Sequence, residues 1–487
     1  KNSFWNFTSK IIGKFGALIF TIIIARLLQP ENYGIYTLAM SVALFFMEFS
    51  NLGVNKTLVR YISSSLGKKN NTNAYFRYIT KIKITLAIII SLALLILAYP
   101  LSIFLFDKPS LFLPIIFASF YIFVFSFEDY FSFLFYSAKN TKYISIKETL
   151  SKTGRILILF FVFYAVSKAF HIEGIIIGLT IISFITILFS FHYIKKLMPE
   201  LFKKTNQKIN KKRVKRFIGF LVIESIALIC FFYIDTIFLG IFLPPEYVGY
   251  YKVAFALAIG IATLFSFSPV LLPYFTQFRK TNTNNSITKV VYYTLVLTIP
   301  SFFGFLILSN YFIRLLFGYS YLQSSIILYS VIPIIFIMPM IKIFSSLFEA
   351  KEKPQYYIKS VIMIMFLNII LNLILITQLS RISNLYGTIG AGIATTSSLF
   401  VYLISLIFIT RKKLKIKPRI DFAKPVIASL IMSLVLALTL SFIKDMNLIT
   451  GILEVLIGAS SYLISMILIK GISREDLRLF KELIRKN

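Results

Sequence analysis

Long apolar runs follow one another along almost the whole chain, and they leave few folds open to it. An α-helix crosses the ~30 Å hydrocarbon core of a bilayer with about 20 mainly apolar residues. The runs are about twice as long as the strands of a membrane barrel and do not alternate in polarity. We identify fourteen runs, at about 5–29, 34–56, 83–105, 111–137, 144–167, 172–194, 216–243, 247–274, 289–309, 323–349, 356–378, 386–410, 423–443 and 449–470. The sequence therefore predicts an all-α polytopic membrane protein with about 14 transmembrane helices.

The composition agrees with a membrane protein. Hydrophobic residues make up 58% of the chain and charged residues 15%, with a mean hydropathy of +0.83, whereas soluble domains are about 45–50% apolar. The single cysteine, Cys230, permits no disulfide within the chain, and the two histidines, His171 and His192, lie far apart. We therefore expect no metal site and no cofactor.

Lysine and arginine are distributed unevenly between the two sets of loops. The loops on the side of the N-terminus hold 44 of the 52, if a few residues of the flanking helix ends are included. Five lie in the opposite loops, namely Lys108, Lys168, Arg314, Arg381 and Lys444. The positive-inside rule then predicts that both termini are cytoplasmic. The net charge of +33 is thereby explained by topology, and we expect no nucleic-acid partner.

One short acidic turn occurs twice in the sequence. "ARLLQPENYGIYTLAM" begins at Ala25, and "GIFLPPEYVGYYKVAF" begins 215 residues later at Gly240. In this register Pro30, Glu31, Gly34 and Tyr36 correspond to Pro245, Glu246, Gly249 and Tyr251. Proline, glutamate and glycine favour a tight turn in any chain, but that preference does not explain the matched register.

The offset maps the first six predicted spans onto the next six. Because six is even, the two copies share one orientation, as in transporters built from parallel repeats. We therefore predict a six-helix lobe at 1–195, a basic cytoplasmic linker at 196–215, and a second six-helix lobe at 216–410. Residues 411–487 would add two transmembrane helices and a basic cytoplasmic tail. Two such lobes enclose a central cavity that opens alternately to each side.

Four segments together carry a family resemblance. They are "IIGKFGALIFTIIIARLLQPENYGIYTLAMS", "DTIFLGIFLPPEYVGYYKVA", "SSLFEAKEKPQYYIKSVIMIMFLNIILNLIL" and "LYGTIGAGIATTSS". In combination they resemble the Wzx-type polysaccharide-biosynthesis flippases of the multidrug/oligosaccharidyl-lipid/polysaccharide exporter superfamily. The resemblance implies a transporter in the cytoplasmic membrane rather than an enzyme. Its substrate would be an oligosaccharide linked to undecaprenyl or dolichyl phosphate, moved to the outer leaflet in exchange for H⁺ or Na⁺.

The resemblance also implies partners, and other functions are alternatives to it. The partners would be membrane lipids, a polysaccharide polymerase and glycosyltransferases. A multidrug or toxin exporter of the same superfamily, coupled to Na⁺ or H⁺, would favour an acidic and aromatic cavity. A peptidoglycan-precursor flippase usually has more arginine in its cavity. A membrane enzyme would need a large outer loop or a soluble domain, and the predicted outer loops are at most about 15 residues long.

Cations within or beside the spans are the candidate contacts for an anionic substrate, since a charge at bilayer depth costs about 2.5–3.5 kcal/mol on insertion scales. Lys10 and Lys14 share a helix face. The resemblance implies that they face the cavity, and snorkelling to the inner interface is the alternative. Arg26 either contacts substrate, pairs with Glu31, or snorkels outward.

Two further cations, Lys252 and Lys342, are expected to be buried and are the leading candidates for phosphate contacts. Pro333 and Pro339 precede Lys342 and are expected to break its span, which would open polar backbone to a cavity.

Acidic residues within the spans are the candidates for ion coupling, namely Glu48, Glu128, Asp129, Glu224 and Asp235. The spacing of Glu48, Asn51 and Asn55 predicts one polar stripe on the second span. Glu48 is then protonated, paired with a cation such as Lys14, or bound to a coupling ion.

The remaining acids differ in their expected surroundings. Glu128 and Asp129 are neighbours that point about 100° apart, so that they do not face one partner. Lys152 and Arg155 are possible partners for them. Glu224 and Asp235 lie eleven residues apart, which puts them on nearly one helix face about 16 Å apart.

Overall fold

The computed structural model of the protein describes residues 2–66, 71–138, 140–203, 209–266, 283–351, 355–443 and 447–471. All regular secondary structure in these ranges is helical, which confirms the predicted all-α class. The α-helices are α1 Asn2–Asn51, α2 Val54–Leu66, α3 Thr72–Pro100, α4 Phe112–Ser137, α5 Thr141–Ala165, α6 His171–Leu197, α7 Lys211–Phe242, α8 Pro245–Leu264, α9 Thr283–Phe317, α10 Gln323–Val331, α11 Ile334–Ala350, α12 Gln355–Ser380, α13 Asn384–Ile409, α14 Ala423–Phe442 and α15 Leu448–Leu468.

Eleven helical segments of the described residues are long and apolar enough to cross a membrane, which confirms a polytopic membrane protein. The first of them, Phe15–Ser65, contains part of the first predicted span and the whole of the second. Helix α5 is not among the eleven, and it carries Lys147, Glu148, Lys152 and Arg155 within its length. The count of fourteen spans and the cytoplasmic position of both termini stay predictions.

The chain divides into two compact units. The first unit comprises residues 1–253 and 361–395, and the second comprises residues 254–360 and 396–487. The first unit therefore combines α1 to α7 with the start of α8, the larger part of α12 and the start of α13. The division into lobes at 1–195 and 216–410 stays a prediction.

Both acidic turns interrupt a helix at the predicted positions. Gln29 has φ 62° and ψ 167°, so that α1 kinks there and continues from Pro30. At the second turn Leu243 is extended, and α8 begins at Pro245 with Glu246 in its first turn. Proline suits the first position of a helix because it has no N–H to leave unpaired, and a carboxylate near a helix N-terminus is favourable.

The two turns also pack against each other within the first unit. A Cβ atom built on Gly34 would lie 1.8 Å from the carbonyl oxygen of Pro245. A Cβ atom built on Gly249 would lie 2.4 Å from the carbonyl oxygen of Pro30. The 215-residue offset maps Gly34 onto Gly249 and Pro30 onto Pro245. The contact is thus reciprocal, as at a two-fold interface, and only glycine permits so close an approach of backbones.

One core of the first unit includes parts of the predicted basic linker. Buried side chains of α2, α3, α4 and α6 pack there with Leu201 and Val214. Two cations near these residues lie over aromatic rings. The guanidinium of Arg60 is 4.2 Å from the centre of the Phe217 ring, and the ammonium of Lys211 is 5.7 Å from that of Tyr78. The described ends of this segment are therefore packed against the helices.

In the second unit α9, α14 and α15 share an apolar core, and the Tyr462 hydroxyl donates to the carbonyl oxygen of Val296 at 2.7 Å. The predicted break at Pro333 separates α10 from α11. The predicted break at Pro339 is wrong, because α11 continues through this residue. A proline inside a helix removes a single backbone hydrogen bond, and membrane helices tolerate that loss when neighbouring groups satisfy the freed carbonyl.

The reciprocal turn contact predicts that Gly34→Ala and Gly249→Ala each destabilise the protein by ~1–3 kcal/mol, the usual cost of overpacking. The double variant should lose less than the sum, because both changes open the same contact. Thermal unfolding of the detergent-solubilised protein measures the effect. Gly219→Ala is the matched control, since a Cβ there meets nothing within 4 Å. Equal unfolding midpoints for Gly34→Ala and Gly219→Ala would contradict the close approach.

Candidate functional site

A helix break within the first unit is held by a buried lysine. Helix α1 ends at Asn51, Gly53 has φ 74°, and α2 begins at Val54. Lys83 of α3 is 0% exposed, and its Nζ lies 2.6 Å from Asn51 Oδ1, 3.1 Å from Ser50 Oγ and 3.4 Å from the Ser50 carbonyl oxygen. A cation is favourable at the C-terminus of a helix, where carbonyl oxygens lack intrahelical partners. Lys83 therefore stabilises the break.

Hydrogen bonds connect this break to two acidic side chains. Asn51 Nδ2 donates to Glu48 Oε2 at 3.2 Å, and Asn55 Nδ2 is 3.5 Å from Asn51 Oδ1. Asn55 Nδ2 also donates to Asp129 Oδ2 of α4 at 2.7 Å. The predicted stripe of Glu48, Asn51 and Asn55 is confirmed, although Gly53 interrupts the single helix that was expected to carry it.

Glu128 belongs to a separate ionic cluster. Its Oε2 lies 3.2 Å from Arg155 Nη2, and its Oε1 lies 3.0 Å from Ser151 Oγ and 3.5 Å from Lys147 Nζ. Glu128 is buried and contacts α5, whereas the neighbouring Asp129 contacts α2. The predicted divergence of the two acids and the pairing with Arg155 are both confirmed.

The sequence did not predict that Lys83 and Lys147 are buried, because both were counted as cations flanking cytoplasmic loops. The helical periodicity of the sequence does indicate that Lys83 is buried. Ile79, Ala87 and Leu94, at spacings of four, four and eleven residues, share its face and are all buried. A cation on the apolar face of a helix is expected to point into the protein.

A third cluster surrounds Asp235 of α7, which is 1% exposed. Its Oδ2 accepts a hydrogen bond from the Tyr251 hydroxyl, and its Oδ1 accepts from Thr236 N at 2.6 Å. The Tyr251 hydroxyl also has a hydrogen bond with the Thr395 side chain, and Lys252 interacts electrostatically with Asp235. All of these residues belong to the first unit.

Two asparagines of α12 extend the cluster around Asp235. Asn368 Nδ2 lies 3.5 Å from Thr395 Oγ1, and Asn372 Nδ2 donates to the Asn368 carbonyl oxygen at 2.9 Å. The Oδ1 atoms of both asparagines are buried and have no hydrogen-bond partner among the described residues. Buried acceptors without a donor are uncommon in native proteins. A small cation would satisfy them.

The remaining candidates lie elsewhere. Three candidate side chains fall outside the described residues, those of Lys10, Lys14 and Glu224. Arg26 is exposed and Lys252 is half-buried. The expectation that Lys342 is buried is wrong, since it is exposed on α11. Its neighbours Ile341 and Ile343 are buried, so that Lys342 lies on the opposite face of the helix.

The described acidic candidates thus form three groups within the first unit. Glu48 and Asp129 share one network with Lys83, Glu128 is held by two cations, and Asp235 accepts hydrogen bonds from Tyr251 and Thr236 and interacts with Lys252. A carboxylate already paired with two cations has little to offer a further ion, whereas oxygen acceptors without donors are available to one. The third group is therefore the best suited to bind and release a cation.

The ionic cluster predicts that Glu128→Gln and Arg155→Gln each destabilise the protein by ~3–5 kcal/mol, because breaking a buried ion pair leaves a charge uncompensated. The double variant should cost less than the sum of the two. Unfolding of the solubilised protein measures all three. Arg419→Gln is the control, because its partner Asp421 lies 3.9 Å away in an exposed pair, and such pairs contribute ~0–1 kcal/mol. Additive losses would show that Glu128 and Arg155 are not coupled.

Comparison with known proteins identifies relatives of this chain. A model of the polysaccharide biosynthesis protein family matches residues 1–279. The probable low-salt glycan biosynthesis flippase Agl15 of Haloferax volcanii is 26% identical over 198 residues. This alignment covers 39% of the chain and spans 40% of the length of that relative.

Solved structures share the fold. The lipid II flippase MurJ, in an inward closed conformation, has a TM-score of 0.73 at 21% identity, over 96% of this chain and 99% of that one. An inward-facing multidrug resistance transporter of the MATE family has a TM-score of 0.56 at 13% identity, over 85% of this chain and 96% of that one. A MOP superfamily transporter from Pyrococcus furiosus has a TM-score of 0.55 at 12% identity, over 83% of this chain and 95% of that one.

These matches confirm the resemblance that the sequence motifs indicated. More than half of the chain is matched by one family model, and nearly the whole of it shares the fold of the lipid II flippase MurJ. The chain is therefore a multi-pass protein of the cell membrane that belongs to the polysaccharide biosynthesis protein family.

Proposed function

We propose that this protein is a flippase that moves a lipid-linked oligosaccharide from the cytoplasmic to the outer leaflet of the cell membrane. The observation that carries the proposal is the family match over residues 1–279. The glycan flippase of Haloferax volcanii and the fold shared with a lipid II flippase agree with it. The lipid carrier is of the undecaprenyl- or dolichyl-phosphate type, and the protein acts as a transporter rather than an enzyme.

Transport proceeds by alternating access between two six-helix lobes at 1–195 and 216–410, with fourteen spans and both termini in the cytoplasm. The reciprocal contact of the two acidic turns supports this arrangement. Two copies of one repeat in the same orientation are related by an axis along the membrane normal, and residues near such an axis meet their own counterparts. The contact of Gly34 with Pro245 recurs between their counterparts as the contact of Gly249 with Pro30, as such an axis requires.

Cations of the helices bind the anionic phosphate of the carrier. The five residues proposed for this role are Lys10, Lys14, Arg26, Lys252 and Lys342. Among them Lys252 has the most informative surroundings, because it interacts with the buried carboxylate of Asp235. A lysine shared between a carboxylate and an incoming phosphate links substrate binding to the state of that carboxylate.

A coupling ion, H⁺ or Na⁺, is exchanged at the cluster of Asp235. A bound Na⁺ would take oxygen ligands from the Asp235 carboxylate and from the Oδ1 atoms of Asn368 and Asn372. A proton would instead neutralise Asp235, which already accepts from Tyr251. Either event changes the charge beside Lys252 and so changes its affinity for phosphate. Glu48, Glu128, Asp129 and Glu224 are secondary candidates.

Two other substrates, a cationic drug and lipid II, are alternatives to the lipid-linked oligosaccharide. The shared fold also occurs in multidrug transporters and in a lipid II flippase, and buried carboxylates such as Asp235 would suit a cationic drug. A polysaccharide polymerase and glycosyltransferases are the expected partners of an oligosaccharide flippase, and neither is expected for a drug exporter.

The test reconstitutes the full chain in liposomes that contain fluorescent undecaprenyl-diphosphate oligosaccharide. The appearance of the sugar on the opposite leaflet is followed with a membrane-impermeant quencher, with and without gradients of Na⁺ or H⁺. Parallel samples contain lipid II or a fluorescent cationic drug. The proposal expects movement of the oligosaccharide lipid well above that in protein-free liposomes. Movement of the drug alone would overturn it.

The cluster around Lys252 and Asp235 predicts that Lys252→Gln lowers the initial rate of flipping at least tenfold. Lys168→Gln is the matched control, since Lys168 is exposed between α5 and α6 and should leave the rate unchanged. The quencher assay in the same liposomes measures both variants. Equal rates for the two would remove Lys252 from the transport path.

Ion coupling predicts a different result for Asp235→Asn. This variant should retain slow flipping but lose its acceleration by an imposed ion gradient, because the amide can neither be protonated nor balance a bound Na⁺. Glu173→Gln is the control, since Glu173 is a buried acid at the start of α6 that is not a member of the Asp235 cluster. An unchanged response of Asp235→Asn to the gradient would exclude Asp235 as the coupling residue.

A further inference from the structure

The connection between α13 and α14 in the second unit, residues 410–422, is called here the basic strap. It opens with one π-helical turn, Thr410–Leu414, and changes direction at Lys415, which has φ 56°. From there to the start of α14 the chain is not helical. Six cations lie within nine residues of the strap, and all six are exposed: Arg411, Lys412, Lys413, Lys415, Lys417 and Arg419.

Two hydrogen bonds fix the backbone of the basic strap to the start of α9. The backbone N–H of Lys417 donates to Asn284 Oδ1 at 3.1 Å. Two residues later the N–H of Arg419 donates to Thr288 Oγ1 at 3.0 Å. Both bonds lie within the second unit, so that this part of the strap is held in place by a helix.

Exposure alternates along the fixed part of the strap. Ile416 and Pro418 are buried, whereas the cations on either side of them are exposed. A period of two residues is that of an extended chain, in which side chains on the same side are about 7 Å apart. Lys415, Lys417 and Arg419 therefore form a regular row that the protein holds in one orientation.

The protein leaves the charge of this row almost uncompensated. Asp421 is the single acid of the strap, and it lies 3.9 Å from Arg419 in an exposed pair, which contributes little. No salt bridge joins the other five cations to an acid of the described chain. The nearby Lys424 differs, because its Nζ donates to the Lys470 carbonyl oxygen at 2.8 Å, close to the end of α15. The strap cations therefore have no comparable task within the fold.

Aromatic rings place the strap at the level of the lipid head groups. Phe408, on the membrane-spanning helix that precedes the strap, is 61% exposed, and Phe422 at its other end is 57% exposed. Exposed phenylalanine on a membrane helix faces the lipid chains. The ammonium of Lys412 lies 5.7 Å from the centre of the Phe408 ring. Cations beside such rings mark the interface between hydrocarbon and water.

We propose that the basic strap binds the phosphate groups of anionic phospholipids in the adjacent leaflet, which the topology predicts to be the cytoplasmic one. A cluster of four to eight cations immediately beside a membrane helix is typical of such binding. The positive-inside rule explains on which side these cations lie. It requires neither a row fixed to α9 nor its position beside lipid-facing rings.

The same features favour bulk phospholipid over other anions. An acidic protein would approach from the water, whereas the row borders rings that face lipid. Six cations over nine residues suit several neighbouring head groups better than the one or two phosphates of a single carrier lipid.

The test uses the full chain in phosphatidylcholine vesicles that contain a trace of spin-labelled phosphatidylglycerol. Electron paramagnetic resonance gives the fraction of label that the protein immobilises, and spin-labelled phosphatidylcholine gives the reference. We expect phosphatidylglycerol to associate about threefold more strongly than phosphatidylcholine, or more, because the strap attracts its charge. The preference should almost disappear in 1 M NaCl, where charges are screened within about 3 Å. This comparison requires no variant.

Three variants locate the site. The first combines Lys412→Gln, Lys413→Gln, Lys415→Gln and Lys417→Gln and should lose more than half of the preference. The second has Lys→Arg at the same four positions, keeps the charge and should retain the preference. The matched control combines Lys195→Gln, Lys196→Gln, Lys212→Gln and Lys215→Gln, which removes four exposed cations of the first unit, and it should retain most of the preference. Unfolding midpoints in phosphatidylcholine check that all three variants are folded.

Four outcomes would overturn the proposal. Absence of a preference for phosphatidylglycerol would leave an acidic protein as the partner of the strap. A preference that persists in 1 M NaCl would not be electrostatic, and equal losses in the strap variant and the control would reflect net charge alone. Displacement of the label by undecaprenyl diphosphate at far lower amounts than by unlabelled phosphatidylglycerol would assign the strap to the carrier lipid. Flipping is measured separately, so that failure of this proposal leaves the proposed function intact and the reverse also holds.

Discussion

The structure depends on one constraint, which is that hydrocarbon offers no partner to a polar group. Every helix break and every charge between the ends of a span must therefore be satisfied by the protein itself. Lys83 meets this requirement at the break after Asn51, where it reaches a carbonyl oxygen, a hydroxyl and an amide at once. A lysine in this position does what water does at the end of a helix in a soluble protein. The apolar chain can then change direction inside the first unit and present Glu48 and Asn55 to the other helices.

The same constraint explains the two acidic turns. Each turn must end one helix and begin the next within a few residues, and proline and glutamate at the new N-terminus achieve that without unpaired donors. Glycine has a different task, since Gly34 and Gly249 let two backbones approach more closely than any side chain would allow. A single sequence pattern thus serves both local geometry and contact with its own copy. This dual demand accounts for the matched register better than turn propensity alone.

Much of the fold could be predicted from sequence because apolar length and turn residues are local properties. The helical class, both turns and the break at Pro333 were predicted correctly. The burial of Lys83 and Lys147 could not be predicted from loop counts, because such counts assign a cation by its position along the chain and ignore the face of the helix. The prediction for Lys342 was wrong for the same reason. A cation within a span was assumed to be buried, whereas Lys342 lies on the exposed face of α11. For contacts between helices, such as that of Arg155 with Glu128, the sequence could indicate only which charged residues were possible partners.

The buried acids differ in how completely the protein satisfies them, and this difference separates structural from functional candidates. Glu128 has two cations and a hydroxyl, so that its charge is compensated and binding a further ion would break bonds already made. Asp235 accepts hydrogen bonds from Thr236 and Tyr251 and interacts with the single cation Lys252, and the same cluster includes the amide oxygens of Asn368 and Asn372, which have no partner among the described residues, so that an added cation would gain contacts there. A protein that has to bind and release its ligands cannot satisfy every buried oxygen beforehand, because an oxygen that is fully bonded in the resting state contributes no affinity when a ligand arrives.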